Sequence, residues 1–384
     1  EGFVATSVTA PEAKTSRFLA LVVVFVFAAP GVWLDSGTVT AQTQEASSAI
    51  QRTPDGHPDL TGVYDVATMT PVDRPTEYGD RLFLTDEEVA AMVRYEEQRN
   101  ERDLEPLDPN RSAPPVGGDR SPTNSYLEGL FRLGGGTVGG YNLFWLSPGE
   151  RPVTIDGRSR TSLVVDPVNG RVPPMKPEAQ QRMAALLASR ARPDAGESDA
   201  GGPSRQYDAA DRRPLAERCI LGFGSTSGPP TLPNYFYNNL KVIVQTRDWV
   251  MIYNEMVHDT RMIPIGGDHL PPHVKQWMGS SVGHWEGDTL VVETTNFTDK
   301  TRFRGSGENL KVTERFTLGE DGTILYRFTV EDPSTWDRAW TGEYPWNPTQ
   351  DEIFEYACHE GNYALETVLR GARLADAEAV ENGR

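Results

Sequence analysis

Within a short stretch, Glu255-Met-Val-His258-Asp259-Thr-Arg261, the chain places two carboxylates, an imidazole and a guanidinium. A carboxylate beside a histidine orients the ring and stabilises its protonated form, which is what a general base needs. A guanidinium nearby is suited to hold a carboxylate or an oxyanion. On that reading His258 is the base, Asp259 or Glu255 its orienter and Arg261 the anion anchor of a hydrolase, lyase or isomerase. The same residues also read as a polar hairpin turn, with Glu255 and Arg261 paired across two strands. A second cluster, Glu355-Tyr-Ala-Cys358-His359-Glu360-Gly-Asn-Tyr363, sets an imidazole and a carboxylate directly after a cysteine. If Cys358 is bridged to Cys219, Arg218 comes within reach of His359 or Glu360, and a rigid staple carries three substrate-binding groups. The plainer alternative is a disulfide-anchored final strand ending in a polar turn.

Other chemistries find less support. His269 and His273 are four apart, but Pro271-Pro272 between them forbids the helix that would put both on one face. The sequence has no HExxH, no Asp-rich calcium loop, no GxSxG elbow and no phosphate-binding loop. A metal held by separated strands stays open, and no metal or cofactor is assigned. A net charge of −18 disfavours nucleic acid and anionic lipid as partners. A small-molecule ligand or substrate is the expected partner, with no oligomeric state implied.

The elements that must position these residues are mostly strands. In Trp285-Glu-Gly-Asp-Thr-Leu-Val-Val-Glu-Thr-Thr-Asn-Phe297, Leu290, Val292 and Thr294 share one face and Val291, Glu293 and Thr295 the other, after a Gly-Asp turn. Period-two alternation bounded by turn residues predicts half-buried antiparallel strands. It recurs at 217–223, 240–246, 249–256, 260–264, 281–286, 289–295, 310–318, 323–331, 338–343 and 351–357, with Glu320-Asp-Gly-Thr323 as a hairpin turn. A first strand is expected at Leu60–Tyr64. Thr85-Asp-Glu-Glu88 is a capping-box pattern that opens one helix, and a second is expected from Pro177 to Arg190. The aromatic residues on these strands read mainly as core, with Trp285 taken as a substrate-binding residue. Some remain to line an apolar cavity of the kind barrels hold open.

At the N-terminus, Lys14 and Arg17 precede an apolar run from Phe18 to Ala29, too short for the roughly twenty residues that cross a bilayer. Val39-Thr-Ala41 offers a cleavage site, so 1–41 reads as a secretory signal peptide, with a retained anchor as the alternative. The expected layout continues with a tail over 42–54 and with strands, helices and a glycine-rich loop over 55–192 packed on a barrel. An exposed linker over 193–214, an antiparallel β core over 215–375 and a tail over 376–384 complete it. Two cysteines in an exported chain invite one disulfide, Cys219–Cys358.

Asp59-Leu-Thr-Gly-Val-Tyr64, Arg218-Cys219, Glu255–Arg261, Gly283–Phe297, Glu331-Asp-Pro333 and Glu355–Tyr363 together resemble a widespread family of secreted bacterial proteins of uncharacterised function. The resemblance covers most of residues 54 to 375. It implies bacterial export, to the periplasm or beyond, and a shared fold, and brings no catalytic assignment. Gly62-Val-Tyr64 is also similar to the Gly-x-Trp of lipocalin-type barrels, with Tyr in place of Trp. The resulting expectation is a mainly β protein, an antiparallel lipocalin-like or distorted barrel with two peripheral helices and long loops. Its function would be binding of a small organic molecule in an aromatic-lined pocket; turnover of that molecule at His258, or service as an envelope interaction scaffold, are the alternatives.

Overall fold

The computed structural model describes residues 50–104, 110, 149–190, 207, 209–223, 228–234 and 237–381. The expected signal peptide, the expected glycine-rich loop and most of the expected 193–214 linker lie outside the described residues.

The alternation seen in the sequence becomes the wall of a barrel. In β9 (Thr289–Thr295), Leu290, Val292 and Thr294 turn inward. They stand opposite Trp285, Gly283 and Ser281 of β8 (Ser280–Glu286) and opposite Phe316, Glu314 and Val312 of β10 (Lys311–Leu318). Gly287, at φ +60°, makes the tight β8–β9 turn that a residue with a Cβ adopts only under strain. The β10 ladder continues into β11 (Ile324–Glu331) and β12 (Trp340–Pro348), all antiparallel.

The other half is built of shorter strands: β1 (Gly62–Asp65), β5 (Leu240–Gln245), β6 (Trp249–Asn254) and β7 (Thr260–Pro264). The order around the sheet is β7-β6-β5-β1-β12-β11-β10-β9-β8, and β1 joins the two halves by pairing with both β5 and β12. Nine strands that alternate in direction cannot close with antiparallel neighbours throughout, so one pair must be parallel. That pair is β7 and β8, which meet at a single parallel bridge, Ile265–Gly283. The residues that carry the chain across, 266–279, have the length a parallel connection requires. The fold is therefore a distorted, nearly closed barrel with one seam.

The lumen is packed. Phe316, Tyr326, Tyr344 and Trp346 cluster at 5.0–5.5 Å between ring centroids, and Phe328, Trp340 and Trp336 form a second cluster. Against the first cluster runs the chain's own segment 228–234, buried throughout. Thr231 of this segment takes its main-chain hydrogen bonds from the wall. Its N–H donates to the Tyr326 hydroxyl at 3.0 Å, and its carbonyl accepts from the Tyr344 hydroxyl at 2.8 Å. These inward-facing aromatic residues are thus core, whereas Trp249 of β6 is exposed.

Peripheral elements cover the outside of β12. β4 (Val164–Asp166) pairs with it, and Arg160 of the preceding loop bridges to Glu343 at 2.8 Å. The two-stranded ribbon of β2 (Thr154–Ile155) and β3 (Arg158–Ser159) stands beside them. Helix α1 (Asp86–Leu104) opens on the expected capping box: Glu88 N–H donates to Thr85 Oγ1 at 3.2 Å, and Thr85 N–H donates to Glu88 Oε2 at 2.8 Å. Helix α2 spans Pro177–Arg190.

Two expectations change. The stretches 217–223 and 351–357 are not strands: turns and bends run through the first, the second has no regular structure, and neither pairs with the sheet. They are instead joined to each other by the Cys219–Cys358 disulfide, with Cα atoms 6.0 Å apart. The chain after Tyr363 forms a third helix, α3 (Ala364–Glu381), where β core and tail were expected. Its Ala-, Leu-, Glu- and Arg-rich composition favours helix, and Asn362 Oδ1 caps it by accepting from Ala364 N–H at 3.2 Å.

Candidate functional site

The Glu255–Arg261 cluster is the turn between β6 and β7, and the turn separates its members. Val257 and His258 both have positive φ, 58° and 43°, which swings the His258 side chain into solvent. Glu255 is buried and accepts main-chain hydrogen bonds from Leu240 N–H at 3.3 Å and Phe354 N–H at 3.4 Å. Asp259 closes the hairpin through its carbonyl, which accepts from Asn254 N–H at 2.8 Å. The second cluster is likewise on the periphery. His359 and Glu360 are exposed beside the disulfide, and Arg218 donates to the Asp211 carbonyl at 3.1 Å. Trp285 is stacked on His57, with ring centroids 4.4 Å apart, and the Arg52–Asp288 ion pair straps the N-terminal segment over the same hairpin. His258 and His359 therefore occupy separate turns.

Arg261 points into the barrel. Its guanidinium makes a bidentate ion pair with Glu314 of β10, at 3.0 and 2.6 Å, with both side chains almost wholly buried. Tyr326 Oη donates to Glu314 Oε1 at 2.7 Å, and Arg261 Nη2 reaches Ser281 Oγ at 3.3 Å, which is 2.8 Å from Thr294 Oγ1. Burial opposes the arginine's charge, but the Glu314 charge and hydrogen bonds outweigh it and hold its pKa above the ordinary value. Tyr326 is pushed well above its ordinary value by burial first and the Glu314 charge second. The cation that the sequence offered to a substrate anion is thus committed to Glu314, a residue to which sequence reasoning gave no role.

A second buried cation was also missed. Lys241 of β5 is fully enclosed opposite Asn254, with no hydrogen-bond partner on Nζ among the described residues. Burial lowers its pKa to about 8, against the opposing pull of Glu255, Asp259 and Asp65. A signal was present for both groups. Lys241 alternates with the core residue Ile243, and Glu314 lies between Val312 and Phe316, so period two puts each charge on the apolar face.

At the seam the wall opens into a pocket of about 700 Å³ between β7 and β8. Trp249, Met262, Leu270, Trp277 and Met278 supply apolar walls, and Arg261 and Ser281 form the inner face. The connecting loop is pinned on the β8 side. His269 Nδ1 lies 2.9 Å from the Ser280 carbonyl, Leu270 N–H donates to Ser280 Oγ at 3.1 Å, and Asn296 Nδ2 donates to the Leu270 carbonyl at 2.7 Å. Among the described residues no group of His, Cys, Asp and Glu is arranged to hold a metal ion. No helix among them is long and apolar enough to cross a membrane. Comparison of the chain with models of protein families and with curated proteins found no match.

Proposed function

We propose that this protein is an exported β-barrel that binds a small organic molecule in the seam pocket. The observation that carries this reading is the pocket itself. It opens where two neighbouring strands of the barrel fail to pair, and its volume of about 700 Å³ falls within the range of small-molecule sites. Its lining sets the apolar surfaces of Trp249, Met262, Leu270, Trp277 and Met278 beside polar and charged groups, among them Asp268 and Lys275, which supports a ligand with both apolar and polar parts. The packed lumen favours the seam over the barrel axis as the place for a ligand. Separation of His258 from Arg261 favours binding over turnover at that cluster. The Cys219–Cys358 bridge supports an oxidising compartment, in keeping with membership of the secreted bacterial family that the motifs resemble.

Titration with a neutral, apolar fluorescent probe tests the reading. Saturable binding is expected, at least tenfold weaker in Trp277→Ala and in Met262→Lys and unchanged in His258→Ala. Met262 is exposed, so the lysine is tolerated by the fold. Equal affinity in all four proteins would remove the seam from consideration.

A further inference from the structure

The charged residues that line the seam pocket are of two kinds. Arg261 is neutralised by Glu314, and Asp259 acts electrostatically on the buried Lys241. Asp268 and Lys275 are different. Both are exposed, both line the pocket, and neither has an ion-pair or side-chain hydrogen-bond partner among the described residues. The pocket therefore offers one uncommitted carboxylate and one uncommitted ammonium.

The anchors of the 266–279 loop hold these two groups apart. Gly266 N–H donates to the Gly283 carbonyl at 2.7 Å, and Leu270 N–H donates to Ser280 Oγ at 3.1 Å. Asp268 thus lies between the levels of Gly283 and Ser280 along β8. Ser280 pairs with Thr295, and Gln276 N–H donates at 2.9 Å to the carbonyl of Asn296, the residue after Thr295. Lys275 therefore lies on the opposite side of the Ser280 level from Asp268. The two positions are about three strand residues apart, or ~10 Å at ~3.3 Å per residue. Apolar side chains stand between them. Leu270 is fastened at the Ser280 level, and Met262 precedes Ile265 of the parallel Ile265–Gly283 bridge by as many residues as Ser280 precedes Gly283.

We infer that the ligand of the seam pocket is a zwitterion whose ammonium and carboxylate are joined by an apolar spacer, the chemistry of an ω-amino acid. This inference rests on the pocket being a ligand site, and it specifies the ligand's class. Asp268 takes the ammonium, Lys275 the carboxylate, and the spacer lies against Leu270, Met262 and Trp277. A ligand with a single charge is attracted at one end of the pocket and repelled at the other. A neutral ligand makes no use of either charge. An α-amino acid carries both charges on one carbon and reaches only one end. A short peptide separates its charges equally well, but it sets amides against the apolar wall at a desolvation cost that an aliphatic spacer avoids.

The test uses the full chain with the apolar fluorescent probe bound. Displacement is compared for ω-amino-octanoic acid, α-amino-octanoic acid, octylamine, octanoic acid, octanol and triglycine. The ω-amino acid is expected to bind more tightly than each of the others by roughly threefold or more, an advantage that shrinks at high salt. Asp268→Asn should weaken octylamine several-fold and strengthen octanoic acid, and Lys275→Gln should do the reverse. A change in packing alone would move both ligands in the same direction. Tighter binding of triglycine would replace the aliphatic spacer with a peptide and overturn the assignment. Equal binding of octanol and the ω-amino acid, or a common response of the two singly charged ligands to Asp268→Asn, would overturn the zwitterion and leave the small-molecule reading standing. Failure of the probe itself to bind would remove both.

Discussion

The two halves of this barrel are made by the same alternation and have opposite interiors. The long half, β8 to β12, turns Phe316, Tyr326, Phe328, Trp340, Tyr344 and Trp346 inward and pairs along whole strands. The short half, β5 to β7, turns Lys241, Asn254 and Arg261 inward beside Ile243, Val250, Ile252 and Ile263, and ends in an unpaired edge. Stability is concentrated where aromatic burial and continuous ladders coincide. The polar chemistry and the opening lie on the side that has fewer of both. Arg261 and Glu314 tie the two halves together across the lumen.

Breaking that tie gives the largest expected effect. Glu314→Ala leaves the Arg261 charge buried without compensation and should cost about 3–5 kcal/mol, measured by chemical denaturation. The paired change Arg261→Met with Glu314→Leu should recover most of this. An equal loss in the double variant would show that the network stabilises through its hydrogen bonds to Tyr326 and Ser281 rather than through charge balance.

Lys241 sharpens the contrast from the short half. Its folded pKa of about 8 lies below the ordinary 10.5, so the unfolded chain binds more protons between those values. Stability should therefore rise as pH increases from about 8 to about 10.5, in the window where the buried ammonium loses its charge. Below pH 8 both states are charged, and the folded protein carries the full burial cost. Lys241→Met should then stabilise the protein at pH 7 by on the order of 3 kcal/mol and flatten the rise. A methionine variant that is less stable, or that keeps the rise, would mean that Lys241 is better solvated than its enclosure implies.

The smallest effect lies outside both halves. Thr85→Ala should remove about 1 kcal/mol by deleting the α1 cap. Thermal unfolding should register it without altering binding at the seam.

Much of the long half was legible because its determinants are local. Leu290, Val292 and Thr294 announce their face by spacing alone, and Gly287-Asp288 and Glu320–Thr323 announce the turns. The Thr85–Glu88 box and the even cysteine count were legible for similar reasons. The site was less so. Glu255, His258, Asp259 and Arg261 drew attention as neighbours in sequence, yet the turn sends His258 outward and Arg261 inward to a partner 53 residues away. The 217–223 and 351–357 segments carry strand-like patterns, but a strand also needs a partner, and partners are allotted by the whole sheet.

By itself, then, the sequence determined which residues alternate, where the chain turns, the cap of α1 and the presence of one cysteine pair, because each depends on spacing within a few residues. Tertiary structure alone decided that nine strands close with one parallel pair, that the seam opens between β7 and β8, and that 228–234 is buried against Tyr326 and Tyr344. It also decided that Glu314 neutralises Arg261. Each of these depends on which distant strands become neighbours, and a period of two specifies a strand's face without specifying its partner.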